Sequence, residues 1–175
     1  MGKQKTRWIV TPGLLHEIKK FENLYRLVKR EEREKDHRIP VMICGPTGVG
    51  KSLFLHIFQQ LYAKENNSGG EVVRINCASF SEELLLSEIF GHIKGSFTGA
   101  TRNRTGHIRK ADKGVLILEE IGELSPLGQA RLLTFIEDGY FFRVGSEKQE
   151  RADVQIVATT NRKREDFRDD FWNRL

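Results

Sequence analysis

Cysteine is almost absent from this 175-residue chain: Cys44 and Cys77 are the only two. Two cysteines cannot staple a small secreted domain. Both lie in apolar runs, which reads as two buried free thiols. No apolar run approaches the roughly 18–20 residues of a membrane-spanning helix, so no membrane partner is expected. The polar start from Met1 to Lys5 has no apolar stretch behind it, so no secretory signal is read and a cytoplasmic location is expected. Internal repeats and low-complexity tracts are lacking. The five histidines, His16, His37, His56, His92 and His107, show no metal-ligand spacing and read as surface or packing residues. No helix-turn-helix pair is found, which argues against direct sequence-specific DNA reading.

What remains is an ordinary globular composition, 38% hydrophobic and 30% charged, at a length close to one domain. The net charge of +5 is unevenly placed. Residues 1–38 hold 11 basic and 6 acidic side chains, whereas residues 39–175 hold 18 of each. A smaller basic cluster, Arg102, Arg104, Arg109, Lys110 and Lys113, reads as a solvated loop, with nucleic acid or an acidic partner as the alternative.

Residues 1–38 read as a leading segment with one amphipathic helix, and residues 39–175 as the main domain. Thr11 before Pro12 fits an N-cap with proline in the first turn. Leu14, Leu15, Ile18, Phe21, Leu24, Tyr25 and Val28 then mark one apolar helix face. Residues 29–38 are almost all charged and read as a solvated helix end.

From Ile39 onward, strands alternate with helices. Strands are expected at 41–44, 71–76, 114–118 and 155–159. Helices are expected from Lys51, from a capping box at Ser79 to Glu82, and from Ser125-Pro126, the last burying Leu127, Leu132, Leu133 and Ile136. Residues 66–70 and 91–105 read as loops. Trp8 and Trp172 read as anchors at the ends of the fold. The alternation predicts an α/β fold, a parallel sheet covered on both faces in three layers, αβα. Such sheets bind ligands at the carboxyl ends of their strands.

Three motifs fall at those ends. Gly45, Pro46, Thr47, Gly48, Val49, Gly50, Lys51 and Ser52 form a complete G-x-x-x-x-G-K-[ST] phosphate loop between a strand and a helix. Its backbone N–H groups and the helix start would bind the phosphates of ATP. Lys51 would contact the β- and γ-phosphates, and Ser52 would ligate Mg²⁺. The second motif is an apolar strand ending in Glu119 and Glu120. Glu119 would support Mg²⁺, and Glu120 is the candidate general base that polarises the attacking water. Glu119 stands where aspartate is usual, and its extra methylene shifts the carboxylate by about 1.5 Å. The third motif is Thr159-Thr160-Asn161, where Thr160 and Asn161 could hydrogen-bond the γ-phosphate or the water.

Gly95, Ser96, Phe97, Thr98, Gly99 and Ala100, preceded by Glu88-Ile-Phe-Gly-His92, resemble the GAFTGA signature of sigma-54-dependent transcriptional activators of the AAA+ class. Asn76-Cys-Ala78, Leu118-Glu-Glu-Ile-Gly-Glu123, Arg143-Val-Gly145 and Phe167-Arg-Asp-Asp-Phe-Trp-Asn-Arg-Leu175 agree with that resemblance over residues 39–175. It implies a P-loop NTPase core of AAA+ type in a ring, usually a hexamer, with ATP between subunits. Hydrolysis would drive the signature loop against the sigma-54 subunit of RNA polymerase, with Phe97 and Thr98 making the contact.

By the same resemblance, Asn76 would restrain the catalytic glutamate, and Thr160 and Asn161 would be sensors. Arg168 and Arg174 would reach the neighbouring subunit's site, and residues 145–151 would form a supporting surface loop. Ser96 replaces the usual alanine. The helical lid and DNA-binding domain of the family are not present, so the chain reads as a truncated piece of a larger regulator, touching promoter DNA only through that absent domain. Weak ATP binding, little ring assembly and low turnover are expected of the chain alone. A nucleotide-binding regulatory module without turnover and another AAA+ remodeller remain the alternatives.

Overall fold

The computed structural model describes residues 12–35, 38–65 and 70–175. In chain order its elements are α1 (Pro12–Lys35), β1 (Val41–Cys44), α2 (Lys51–Glu65), β2 (Val72–Asn76), α3 (Glu82–Phe90), β3 (Gly91–His92), β4 (Arg104–Thr105), α4 (His107–Lys110), β5 (Val115–Glu119), α5 (Pro126–Asp138), β6 (Tyr140–Phe142), β7 (Gln149–Arg151), β8 (Gln155–Thr160) and α6 (Asp169–Trp172). Short 3-10 turns at Cys77–Ser79, Ile121–Glu123 and Arg164–Asp166 link some of them. No helix among the described residues is long and apolar enough to cross a membrane.

Four strands form one sheet in the order β1-β8-β5-β2, and every pairing is parallel. The sheet divides its side chains by period two, as a pleated strand must. Val115, Ile117 and Val157 face α1 and α2, where they meet Tyr25, Leu55, Phe58 and Tyr62. Leu116, Leu118, Ile156 and Ala158 face the opposite way, toward Leu85, Ile89, Leu132, Phe135 and Phe171 on α3, α5 and α6. β5 is therefore buried on both faces, which is why it reads as an unbroken apolar run. Removing one such side chain, as in Leu116→Ala, costs about 2–5 kcal/mol.

Helix α1 is tied to this core by Phe21 edge-on to Phe54 and Tyr25 edge-on to Phe58, with ring centroids 5.2 and 5.4 Å apart. Its charged end departs from the solvated reading of residues 29–38. Lys29 and Glu32 are both buried, and Lys29 Nζ donates to Glu32 Oε2 at 2.7 Å and to Gln155 Oε1 at 3.0 Å. Glu32 Oε1 accepts from the Ile39 amide, and Gln155 Nε2 donates to the Ile39 carbonyl. Periodicity continues through Lys29 and Glu32 on the Tyr25 face, so burial follows helix phase and not side-chain charge. Burial pulls the Lys29 ammonium below the ordinary lysine pKa, opposed by its bond to Glu32.

Other expectations are corrected in detail. Cys44 is exposed, while Cys77 is buried and its thiol is pushed up to about 12 by burial. Leu127 is exposed although Leu132 and Ile136 on the same helix are buried. The cap of α3 is Ser81, without a side-chain bond, so the expected capping box at Ser79 does not form. Ser79 instead ends the preceding 3-10 turn. The cap of α5 is Ser125 as expected, and its hydroxyl accepts from Gly128 N. The 91–105 stretch is bounded by the short antiparallel pair β3–β4, and β7 lies within the expected 145–151 loop, paired with β6. Trp172 packs on Phe167, ring centroids 5.2 Å apart. The expected cap Thr11, the anchor Trp8, His37 and residues 66–69 of the predicted loop lie outside the described residues.

Candidate functional site

Every motif singled out as chemical sits at one edge of the sheet because parallel strands all end on the same side. The phosphate loop follows β1, Asn76 ends β2, Glu119 ends β5 and Thr160 ends β8. A bond from Gly45 N to Thr160 O, 3.1 Å, extends the β1–β8 pairing into the loop. Gly48 and Gly50 then take φ of +86° and +97°, a region that L side chains rarely adopt. A Cβ at either position would meet nothing within 4 Å, so the loop is an open cradle.

Lys51 opens α2, and its ammonium donates to the Gly45 carbonyl at 2.8 Å and the Pro46 carbonyl at 3.3 Å. Opposite it stands Glu120, whose Oε1 is 3.9 Å from Lys51 Nζ. Glu120 Oε2 accepts from the Asn161 amide at 3.3 Å, and Asn161 Nδ2 donates to Thr47 Oγ1 at 3.4 Å. One short chain of contacts thus joins the phosphate loop, the end of β5 and the end of β8. Glu120 adopts φ 51° and ψ 51°, a left-handed conformation that costs a non-glycine residue roughly 1–2 kcal/mol. The Glu120 amide, aimed at Thr159 Oγ1 at 3.3 Å, helps hold it there. Backbone strain of this kind clusters at functional positions.

The remaining expected residues separate into groups. Ser52 is exposed on the first turn of α2. Thr160 is fully buried, and its hydroxyl accepts from the Arg162 amide, so of the sensor pair only Asn161 faces the loop. Asn76 Oδ1 accepts from Ala78 N and caps the turn after β2. It pairs in register with Glu119, and no hydrogen bond from it to Glu120 is present. Arg168 forks onto Asp170 at 3.0 and 2.6 Å, and Arg174 Nε lies 3.8 Å from Glu137. Both arginines are half exposed, and neither is paired with Glu120 or the phosphate loop.

Sequence reasoning missed Arg74, whose guanidinium takes both oxygens of Glu119. The available signal was period two, which puts Arg74 and Asn76 on one face of β2. Thr159 was read as part of the third motif, but its bond to the Glu120 amide was not foreseen.

The signature hexapeptide forms a loop closed at its base. Gly95 N donates to Ala100 O, and Ala100 N donates to Phe97 O. Thr98 and Gly99 are exposed at its tip. Phe97, expected as an exposed contact residue, is half buried and meets His92 edge-on at 5.0 Å. His92 is itself held by Ser87 at 2.6 Å. The second loop is stitched to the first: Ile93 N donates to Val144 O, and Val144 N to Gly91 O. Gly145 is so close that a Cβ there would come within 2.5 Å of the Ser96 Cβ. In the basic cluster, Arg104 pairs with Glu88 and Arg109 with Glu150, so charge there is partly spent internally.

The site suits a nucleotide with its magnesium ion. Ser52 and Glu119 would be its protein oxygen donors, with both Glu119 oxygens taken by Arg74 here, and Mg²⁺ prefers few protein ligands completed by phosphate and water. No cluster of three or more His, Cys, Asp or Glu side chains among the described residues forms a metal cage of its own.

Known proteins are similar to this chain along most of its length. Residues 15–175 match the sigma-54 interaction domain family. A Nif-specific regulatory protein of Rhodobacter capsulatus is 43% identical over 155 residues, covering 85% of this chain and 26% of that protein. The nitric oxide reductase transcription regulator NorR2 of Cupriavidus necator is 38% identical over 164 residues, covering 90% and 31%. The crystal structure of NtrX from Brucella abortus in complex with ADP superimposes with a TM-score of 0.74 at 26% identity, covering 97% of this chain and 35% of that one. The chain spans between about a quarter and just over a third of the length of these relatives. From Leu15 to Leu175 it belongs to the sigma-54 interaction domain family.

Proposed function

We propose that this chain is the ATP-binding and hydrolysing motor domain of a sigma-54-dependent transcriptional activator. The observation that carries the reading is Glu120, facing Lys51 across the open phosphate loop and held by the Asn161 amide. In this reading the loop amides and Lys51 bind the phosphates of ATP. Ser52 and Glu119 hold Mg²⁺, which neutralises phosphate charge when bound. Glu120 accepts a proton from water, and Asn161 fixes the direction of its carboxylate. Asn76, directly opposite Glu119 across the strand pair, restrains the acids until nucleotide is seated. Arg168 and Arg174 lie outside the chain's own site, which suits arginines that complete a neighbouring subunit's site in a ring. That ring is probed by concentration dependence of turnover.

The loop tip at Thr98 and Gly99, with Phe97 behind it, is the surface proposed to contact sigma-54. A partner of that kind, the polymerase subunit, places the protein in the cytoplasm. The test is capture of purified sigma-54 by the protein with ADP plus aluminium fluoride, a mimic of the transferring phosphoryl group. The reading expects capture with the mimic, loss without nucleotide, and loss in Thr98→Ala. Full capture by Thr98→Ala would count against it. One observation favours a second reading, a nucleotide-holding module without turnover: the Glu119 carboxylate is already occupied by Arg74.

A further inference from the structure

Arg74 is a charged side chain beside Glu119 that the proposed function leaves unused. It sits on the edge strand β2, two positions before Asn76 and on the same face. From there it reaches along the neighbouring strand to Glu119, two residues beyond its own register partner Ile117. Nε donates to Oε1, and Nη2 donates to Oε2 at 2.6 Å. The fork of a guanidinium matches the two oxygens of a carboxylate, so one residue engages both. The Glu119 side chain is 19% exposed and Arg74 46%, so the clasp is open to solvent on the arginine side.

We propose that Arg74 is a positioning residue that competes with Mg²⁺ for the Glu119 carboxylate and so raises the free Mg²⁺ needed to hold nucleotide. Two cations with one carboxylate between them repel each other, and the arginine already holds both oxygens. The length of Glu119 makes the competition possible. An aspartate on the same backbone would end about 1.5 Å short, out of reach of the fork. The glutamate where aspartate is usual is thereby a feature with a purpose, a magnesium requirement set by the protein and not by the nucleotide alone. This inference rests on the nucleotide reading of the site.

The experiment titrates Mg²⁺ into the protein with a fluorescent ADP analogue and records the midpoint of the magnesium-dependent rise in binding. Affinity in excess chelator is measured alongside. Arg74→Gln is expected to lower the midpoint about three-fold, the scale of a partly exposed ion pair. Glu119→Asp is expected to lower it similarly, and the double variant no further than Glu119→Asp alone. Arg74→Lys, which keeps charge without the fork, is expected between wild type and Arg74→Gln. Thermal unfolding of each variant confirms that it is folded.

An unchanged or raised midpoint in Arg74→Gln, or effects that add in the double variant, would overturn the inference while leaving the nucleotide reading standing. No binding of the analogue by wild type at any Mg²⁺ concentration would overturn the nucleotide reading itself, and the inference with it.

Discussion

Glu120 Oε1 lies 3.9 Å from Lys51 Nζ, across the gap between the end of β5 and the start of α2. Attraction between unlike charges at that distance is about 1 kcal/mol in water and several-fold more where water is partly excluded. The pair therefore keeps an acid and a phosphate-binding cation facing each other before any nucleotide arrives. Asn161 completes the arrangement from the end of β8. Parallel pairing of β1, β8 and β5 alone brings these three residues together, although they are separated by up to 110 positions in the chain (161 minus 51).

The buried pair at the foot of α1 gives the largest stability prediction. Lys29 and Glu32 side chains are 9% and 6% exposed. Among the described residues, Lys29→Ala leaves the Glu32 carboxylate with the Ile39 amide and the distant Arg38, 4.0 Å away. Removing one partner of a buried pair costs about 3–5 kcal/mol. Urea unfolding is expected to show a lowered midpoint with unchanged slope. Lys29→Ala combined with Glu32→Ala is expected to lose less than Lys29→Ala alone.

Asp153 governs part of the acid response. Its hydrogen bonds from Arg38, at 2.8 and 3.0 Å, lower its pKa from the ordinary 3.8, against opposing desolvation. A carboxyl with a depressed folded pKa contributes stability that is fully present above its unfolded pKa. That stability is lost as pH falls through the folded value. Stability is therefore expected to drop as pH is lowered below about 4, the ordinary value for aspartate. Arg38→Gln is expected to flatten that part of the profile and to leave a lower plateau at neutral pH, read by chemical unfolding across pH. The effect is modest, because the Asp153 side chain is 57% exposed.

Ser96 marks a weak point where the two surface loops meet. Its Oγ is buried without a hydrogen-bond partner, and its Cβ lies 2.5 Å from where a Cβ on Gly145 would fall. An unsatisfied buried hydroxyl costs about 1–3 kcal/mol. Ser96→Ala is expected to raise the unfolding midpoint slightly and to slow hydrogen exchange of the Gly95 and Ala100 amides, which close the loop. Gly145→Ala is expected to do the reverse, because φ is +78° and its Cβ would collide with Ser96. Faster exchange in Ser96→Ala would contradict this account of the contact.

The sequence made the parallel sheet legible because its four strands are short apolar runs bounded by turns and separated by helical periodicity. The phosphate loop and the Glu119-Glu120 pair were legible because strand ends fix them in space. What the sequence concealed were relations between strands. Arg74 and Glu119 are 45 residues apart, and only the register of β2 against β5 makes them neighbours. The burial of Lys29 was hidden because charge suggested solvent while helix phase pointed inward. Cys44 looked buried by its apolar neighbours, yet it lies at the exposed end of β1, where the phosphate loop begins. Phe97 looked exposed between glycines, yet His92 offered its ring a partner two strand residues after α3.

The measurement that bears most directly on the central claim is ATP turnover per protomer over a range of protein concentrations, for wild type, Glu120→Gln and Arg168→Ala. A general base contributes about 10²–10⁴-fold. The account predicts a wild-type rate that rises with concentration, a loss of about 100-fold or more in Glu120→Gln with nucleotide binding retained, and a loss of the concentration dependence in Arg168→Ala. A wild-type rate no higher than that of Glu120→Gln at every concentration would contradict it.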